Sequence, residues 1–203
     1  MLELFVKGGP VMYPLLLCSV VGVAVIVERV YYYWSGRADN ESLMDSVRAA
    51  LSQGRILEAA QVAKRDKGPV AAILAAAISQ YGKSRQMVTE QIEKVGQEEI
   101  FRLEKGLPLL DVLVGIAPLL GLLGTVTGII KSFNVMGALQ GVAEPAVLSS
   151  GIAEALITTA AGLLIAIPIM AVNAYFYRLV DRRVLQMNQR STEIIALVAE
   201  REG

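Results

Sequence analysis

Histidine is absent from all 203 residues of this chain. It is the commonest general base and the commonest metal ligand in proteins, so most hydrolase, oxidoreductase and metal-site designs lack their usual component here. We therefore expect no enzyme, no metal site and no cofactor. An intramembrane enzyme built on Ser149 and Ser150 would lack the histidine that ordinarily activates such a nucleophile.

The chain also has a single cysteine and no net charge. The single cysteine, Cys18, cannot form a disulfide within the chain and lies in an apolar run, where it fits as a small packing residue. The 19 Lys and Arg residues balance the 19 Asp and Glu residues. A chain without net charge has no overall field that attracts nucleic acid, so we expect no nucleic-acid partner.

Apolar sequence is what the chain has in abundance, at 54% hydrophobic residues. About 20 helical residues cross the hydrocarbon layer of a membrane, and three runs with few charges approach that length. These runs are residues 11–27, 112–130 and 155–172. A shorter alanine-rich run, residues 69–78, is better interpreted as the buried helix of a soluble part. The sequence predicts an all-α membrane protein with three transmembrane helices.

The basic residues indicate how these spans are oriented. Of the 19 Lys and Arg residues, 12 lie from Arg29 to Lys105 and five lie from Arg178 onward. The positive-inside rule therefore places the large loop and the C-terminus in the cytoplasm and the N-terminus outside. The predicted parts are an external N-terminus 1–10, span 11–34, cytoplasmic helical region 35–107, span 108–133, external loop 134–145, span 146–177 and cytoplasmic C-terminal helix 178–203.

The charged segments also follow helical periodicity, so long cytoplasmic helical extensions are predicted. Three shorter helices are predicted over about residues 40–53, 56–64 and 70–81. From residue 86 an amphipathic stripe, Val88 to Leu107, predicts a long helix that runs directly into the second span. We interpret this stripe as a contact between copies in a homo-oligomeric bundle. Replacing Ile92 and Val95 by Asp should then weaken the oligomer.

Glu154 is the one acid at the start of the third apolar run. An ionised carboxylate in the hydrocarbon layer needs a partner, water or a proton, which makes a proton or cation pathway the default hypothesis. The alternative is an acid that reaches the interface or pairs across a helix contact. Asp111, at the inner end of the second span, is either an interfacial acid pairing with Lys105 or Arg178, or a cytoplasmic proton exit.

Small and hydroxyl-bearing residues recur every three or four positions on the second and third spans. The two faces are Gly121, Thr125 and Gly128 on the second span, and Glu154, Thr158 and Gly162 on the third. Small residues let transmembrane backbones approach closely, so ordinary packing accounts for the glycines, whereas hydroxyls add hydrogen-bonding groups. Counted from the outer boundary, Thr125 and Glu154 lie at one depth, roughly 12 Å into the membrane.

Two runs carry a family resemblance. Residues 117–128, APLLGLLGTVTG, and 151–168, GIAEALITTAAGLLIAIP, resemble the signature segments of the MotA/TolQ/ExbB proton-channel family. Three spans with an external N-terminus are similar to ExbB and TolQ. The resemblance implies that Glu154, Thr125 and Thr159 match the family's functional glutamate and two pore threonines. It also implies a bacterial inner membrane, with the external side as the periplasm.

The resemblance further implies a homopentamer around a dimer of a single-span ExbD- or TolR-like partner, whose span carries an aspartate. Such a complex uses the proton motive force to drive a TonB- or TolA-like protein, with membrane lipid around it. We therefore expect a proton-channel subunit that energises outer-membrane transport. Two alternatives stay open: a TolQ-like subunit for envelope integrity and cell division, and a structural scaffold without ion conduction. Candidate pore-lining residues are Thr158, Gly121, Gly128 and Gly162.

Overall fold

The computed structural model describes residues 2–35, 40–66, 68–138 and 145–199. Within these ranges the chain forms eight α-helices and no β-strand, which confirms the predicted all-α class. The helices are α1 Leu2–Lys7, α2 Met12–Ser35, α3 Asn40–Ser52, α4 Ile56–Arg65, α5 Pro69–Ile78, α6 Arg85–Glu104, α7 Leu107–Ala138 and α8 Pro145–Val198. Residues 36–39, in the predicted cytoplasmic region, and 139–144, in the predicted external loop, lie outside the described residues.

Three segments are long and apolar enough to cross a membrane, by length and composition. They are Met12–Trp34, Arg85–Gly137 and Ser149–Val198. The chain itself buries only 22% to 28% of the most apolar stretch of each segment. Most of the apolar surface of the three segments is therefore left for lipid or for other chains.

The chain divides into two compact units. Unit 1 contains Met1–Arg29 and Gly106–Tyr175, and unit 2 contains Val30–Lys105 and Phe176–Gly203. In unit 1, Leu15 of α2 is buried in a small apolar cluster with Ala117 of α7 and Ala166 of α8. The short alanine side chains let α2 lie close to both partner helices.

The predicted continuous helix from residue 86 into the second span is wrong at one point. α6 ends at Glu104, and α7 begins at Leu107. Between them, Lys105 has extended backbone angles (φ −50°, ψ 129°) and Gly106 has φ +84°. Glycine adopts a positive φ without the steric cost that a β-carbon brings, so Gly106 separates two helices where one was predicted.

The core of unit 2 is built around the alanine-rich helix α5. Its residues Val70, Ile73 and Leu74 are almost completely buried, and α5 packs against α4 and α6. The prediction of a buried helix over residues 69–78 is therefore confirmed. Its alanines leave room for neighbouring backbones, which explains how a ten-residue helix is buried on nearly every side.

The amphipathic stripe of α6 is used within the chain. Val88, Ile92 and Leu103 are buried, and a β-carbon on Gly96 would lie 4.0 Å from Cδ1 of Ile73 on α5. The interpretation of this stripe as a contact between copies is therefore wrong. Amphipathic spacing shows that a helix face is buried, but it does not show which surface covers that face.

Ile92→Ala is expected to lower the free energy of unfolding of unit 2 by about 2–5 kcal/mol, because it leaves a cavity between α5 and α6. Met87→Ala is the matched control, since Met87 lies on the same helix with an exposed side chain. Chemical denaturation of the purified chain measures both variants. If Ile92→Ala instead makes an oligomer dissociate into folded subunits, the stripe is a contact between copies after all.

Candidate proton-relay site

The helices α7 and α8 cross through glycines in unit 1. A β-carbon on Gly121 would lie 3.0 Å from a backbone oxygen of α8, and one on Gly128 would lie 2.7 Å from another. On the opposite helix, a β-carbon on Gly162 would lie 2.5 Å from the carbonyl oxygen of Ala117. The two backbones are therefore in contact at the candidate pore-lining glycines. Helix packing accounts for these residues, and their role in a pore stays a prediction.

The contacts at this crossing define an antiparallel register. Ala117 meets Gly162, and further along α7 Gly128 meets Gly151. This register brings Thr125 and Glu154 to within about one helical turn of the same level. Counting from the predicted boundaries gives the same relation. The depth of this level in a membrane stays a prediction.

Glu154 is enclosed by three segments of unit 1. Its Oε2 accepts a hydrogen bond from Nζ of Lys131 on α7 at 2.9 Å, and its Oε1 lies against Gly9, in the turn between α1 and α2. Gly9 has φ +69°, and a β-carbon at this position would overlap Oε1. Glycine is therefore required at Gly9 both by the backbone conformation and by the carboxylate beside it.

The ion pair between Lys131 and Glu154 is asymmetric. The side chain of Glu154 is 11% exposed in the chain, whereas that of Lys131 is 67% exposed. The protein therefore covers the acid and leaves most of the base outside. A buried carboxylate depends strongly on its partner, because a buried charge without a partner is costly.

Lys131 and Gly9 are not among the site residues predicted from the sequence. The sequence does contain a signal for Lys131, which is the one basic residue between Lys105 and Arg178 and follows directly on the second apolar run. No comparable signal exists for Gly9, because its position against Glu154 depends on a turn that carries no periodic pattern.

Thr158, a candidate pore-lining residue, is fully buried between α7 and α8. Its Oγ1 donates to the carbonyl oxygens of Glu154 at 3.1 Å and Ala155 at 2.9 Å, both in its own helix. Its side chain lies against Gly124, where a β-carbon would overlap it. Thr158 is therefore a packing residue of the crossing in this chain, and a pore-lining role stays a prediction.

The other two candidate threonines are half-buried. Oγ1 of Thr159 donates across the crossing to the carbonyl oxygen of Gly121 at 3.2 Å, and Oγ1 of Thr125 donates to the carbonyl oxygen of Leu122 at 2.6 Å. The hydrogen bonds described for these hydroxyls all end on backbone oxygens. The structure brings both threonines to the region of Glu154 without a described bond to its carboxylate.

Asp111 lies near the start of α7 and is paired with a residue that the sequence pattern does not single out. Nδ2 of Asn173, on α8, donates to Oδ1 of Asp111 at 2.7 Å. Asn173 is 3% exposed, so an amide is buried beside the candidate exit acid. A lone asparagine in an apolar run is the only available signal. The role of Asp111 as a proton exit stays a prediction.

The site and the fold define a class of protein. An acid enclosed between two closely packed apolar helices is typical of proton and ion pathways in membranes. The sequence profile of the MotA/TolQ/ExbB proton channel family matches residues 65–189, which include every candidate site residue named from the sequence. The chain belongs to this family and is a multi-pass membrane protein.

Individual relatives place the chain near ExbB and TolQ within the family. An ExbB-like biopolymer transport protein of Synechocystis sp. is 34% identical over 203 residues, covering 98% of this chain and 76% of the relative. The biopolymer transport protein exbB1 of Vibrio cholerae is 32% identical over 166 residues, which cover 80% of this chain and 73% of the relative. The Tol-Pal system protein TolQ of Pseudomonas aeruginosa is 49% identical over 74 residues, which cover 36% of this chain and 31% of the relative. The chain is a proton-channel subunit of the ExbB/TolQ type.

Proposed function

We propose that this chain is the proton-channel subunit of a bacterial inner-membrane motor that uses the proton motive force to energise outer-membrane transport. The observation that carries this proposal is Glu154, an acid enclosed at the crossing of α7 and α8. In apolar surroundings a protonated, neutral carboxyl group costs less free energy than an unpaired ionised carboxylate. Such a group therefore tends to take up a proton, which suits a proton carrier. In this proposal the N-terminus is periplasmic and the C-terminus is cytoplasmic.

Partners are proposed because Glu154 alone cannot form a proton wire. Large apolar side chains of α7 and α8 are exposed in the single chain. Examples are Leu119, Leu122, Val126, Leu156, Leu163 and Leu164. These faces support a homo-oligomer, proposed as a pentamer, around an ExbD- or TolR-like partner with one span that carries an aspartate. A TonB- or TolA-like protein then receives the motion, and lipid covers the remaining faces.

Reconstitution of the full chain with such a single-span partner tests the proposal. We expect proteoliposomes to conduct protons under an imposed gradient when both proteins are present, and the chain alone to conduct little. Native mass measurement of the detergent-solubilised complex should give several copies of the chain with the smaller partner. A monomer, or a complex that holds no partner, would refute the proposed assembly.

A TolQ-like role in envelope integrity and cell division is the second candidate. It is favoured by the 49% identity to TolQ over 74 residues, which is higher than the identity to the ExbB relatives over longer stretches. The two roles differ in the partner. Affinity purification of the chain from its own cells, followed by identification of the single-span protein and the TonB- or TolA-like protein, separates them.

A structural scaffold without conduction is the third candidate, and the ion pair between Lys131 and Glu154 favours it. An acid whose carboxylate is already paired within its own chain could serve only to hold α7 against α8. The two interpretations differ in whether a neutral pair at positions 131 and 154 is functional, because a scaffold needs no titratable group there.

Thr159→Val is expected to leave the complex assembled and to reduce proton flux about tenfold or more. Valine keeps the shape but removes the hydroxyl bonded to Gly121. Such bonds average about 0.6 kcal/mol in membrane proteins, which corresponds to only about threefold in a rate if the bond merely aligns helices. Thr159→Ser should be better tolerated.

Thr127→Val is the matched control, because the hydrogen bond that the described residues give the hydroxyl of Thr127 stays within its own helix, to Gly124 at 3.1 Å. Proton flux in proteoliposomes is the measurement for both variants. If valine at position 159 conducts as well as threonine, Thr159 acts through packing, and its place in the pathway is withdrawn.

A further inference from the structure

A second polar contact between side chains joins α7 and α8 in unit 1, away from Glu154; Asn173 is buried in it, whereas Asp111 is exposed in the single chain. It consists of Asp111 on α7 and Asn173 on α8, with the amide Nδ2 donating to the carboxylate at 2.7 Å. Asn173 follows Glu154 by 19 residues on α8. At the helical rise this separation is about 28 Å, close to the thickness of the hydrocarbon layer. The two acids therefore lie near opposite ends of the same crossing.

The amide of Asn173 is only half satisfied. Its Oδ1 is buried, and among the described residues it has no hydrogen-bond partner. A buried carbonyl oxygen without a donor carries a desolvation cost, and such groups in native proteins normally have a function or a bound water. The unsatisfied oxygen is adjacent to a group that can acquire a proton.

The orientation of the amide follows from the charge on Asp111. An ionised carboxylate accepts hydrogen bonds only, so the NH2 group of Asn173 must face it. A protonated carboxyl carries an O–H donor, and Oδ1 of Asn173 is then the group that can accept from it. A half-turn of the amide exchanges the two arrangements without a change in shape. The pair can therefore hold either charge state of the acid.

We propose that Asp111 and Asn173 form a second proton-binding site, whose ligand is a proton delivered by water. The proton binds a carboxylate oxygen of Asp111, the amide of Asn173 turns, and the new O–H donates to Oδ1. Release to water reverses these steps and restores the arrangement in which Nδ2 of Asn173 donates to the carboxylate. The direction of proton movement rests on the proposed function, whereas binding at Asp111 does not.

Other charged groups lie at this end of unit 1. On α2, Arg29 is 2% exposed and its Nε donates to Oε2 of Glu28 at 2.7 Å. A β-carbon on Gly106, just before α7, would lie 3.9 Å from Nε of Arg29. On α8, Tyr175 is the titratable residue nearest in sequence to Asn173. A competing role for Asp111 is a permanently ionised counter-charge to Arg29, and the experiment must separate this role from proton binding.

Infrared difference spectroscopy of the full chain in lipid, recorded during a pH titration, tests the proposal. We expect a carboxylic-acid band that is lost in Asp111→Asn and retained in Glu154→Gln. With isotope-labelled asparagine, an amide band should change in the same titration, and this change should be absent in Asn173→Leu. Loss of both signals in the stated variants supports the site.

Two results would overturn it. If the carboxylic-acid bands of Asp111→Asn match those of the unmodified chain, Asp111 stays ionised as a counter-charge. If the amide band does not change during the titration while Asp111 binds a proton, Asn173 is not part of the site. Asp111→Asn keeps the shape of the side chain, and circular dichroism checks its fold, so the first result does not depend on Asn173→Leu folding. No transport is measured, so failure of the proposed motor function leaves this test unaffected.

Discussion

Glu154→Gln is expected to abolish proton-coupled activity while the complex remains folded and assembled. Glutamine keeps the size of the side chain and removes the group that binds a proton. The variant leaves Lys131 without its partner, but 67% of that side chain is exposed in the single chain and it lies two residues from the predicted outer end of the second span. We therefore expect it to reach water, and the loss of stability should be near 0–1 kcal/mol. Proton flux in proteoliposomes, with native mass measurement of the complex, gives both quantities.

Variants of Lys131 separate a relay from a scaffold. Lys131→Met leaves the buried carboxylate of Glu154 unpaired, so we expect it to destabilise the chain by about 1–3 kcal/mol, more than Glu154→Gln does. Combining the two changes should restore stability, since the double variant contains neither charge. If Glu154 is a relay, the double variant stays inactive. A double variant that is stable and fully active would show that the pair serves only to hold the helices together.

Gly128→Val is expected to prevent the close crossing of α7 and α8, and with it the accumulation of folded chain. A β-carbon at this position would lie 2.7 Å from the carbonyl oxygen of Gly151, and a backbone atom cannot move aside as a flexible side chain can. The smaller change Gly128→Ala should lower the free energy of unfolding by about 1–3 kcal/mol, the usual cost of overpacking.

Gly115→Ala is the matched control for Gly128→Ala, because it makes the same change on the same helix. A β-carbon on Gly115 meets nothing within 4 Å in the described part of the chain. Removing the conformational freedom of a helical glycine should therefore raise stability by about 0.5–1 kcal/mol. Unfolding in detergent compares the two variants. Equal effects at both positions would contradict the tight crossing.

The general fold could be predicted from composition and periodicity, because both act locally along the chain. Apolar runs and helical spacing predicted three helices long and apolar enough to span a membrane, and they predicted the shorter helices to within a few residues. Two features could not be obtained this way. The stripe around Ile92 reveals burial but not the covering helix, and a glycine at Gly106 does not reveal the sign of its φ angle.

The candidate site could be predicted in part. Its central acid, Glu154, stands out because a carboxylate in an apolar run is rare, and its neighbours Thr125 and Thr159 follow from spacing and resemblance. The partners of the acid do not follow, because Lys131 and Gly9 reach it through the crossing register and through a turn. The hydroxyls of Thr125 and Thr159 also donate to nearby backbone oxygens. Side-chain spacing along the sequence does not determine which acceptor a hydroxyl binds.

The glycine crossing has a consequence for how such a machine moves. Gly121, Gly128 and Gly162 each face a backbone oxygen of the opposite helix, so sliding α8 along α7 by one residue would drive larger side chains against those oxygens. We therefore expect the helix pair to move as one rigid body with a single register. In the proposed motor, displacement coupled to proton passage is then expected at the faces of the pair that the chain leaves uncovered, as rotation or tilt against lipid, further copies or a partner.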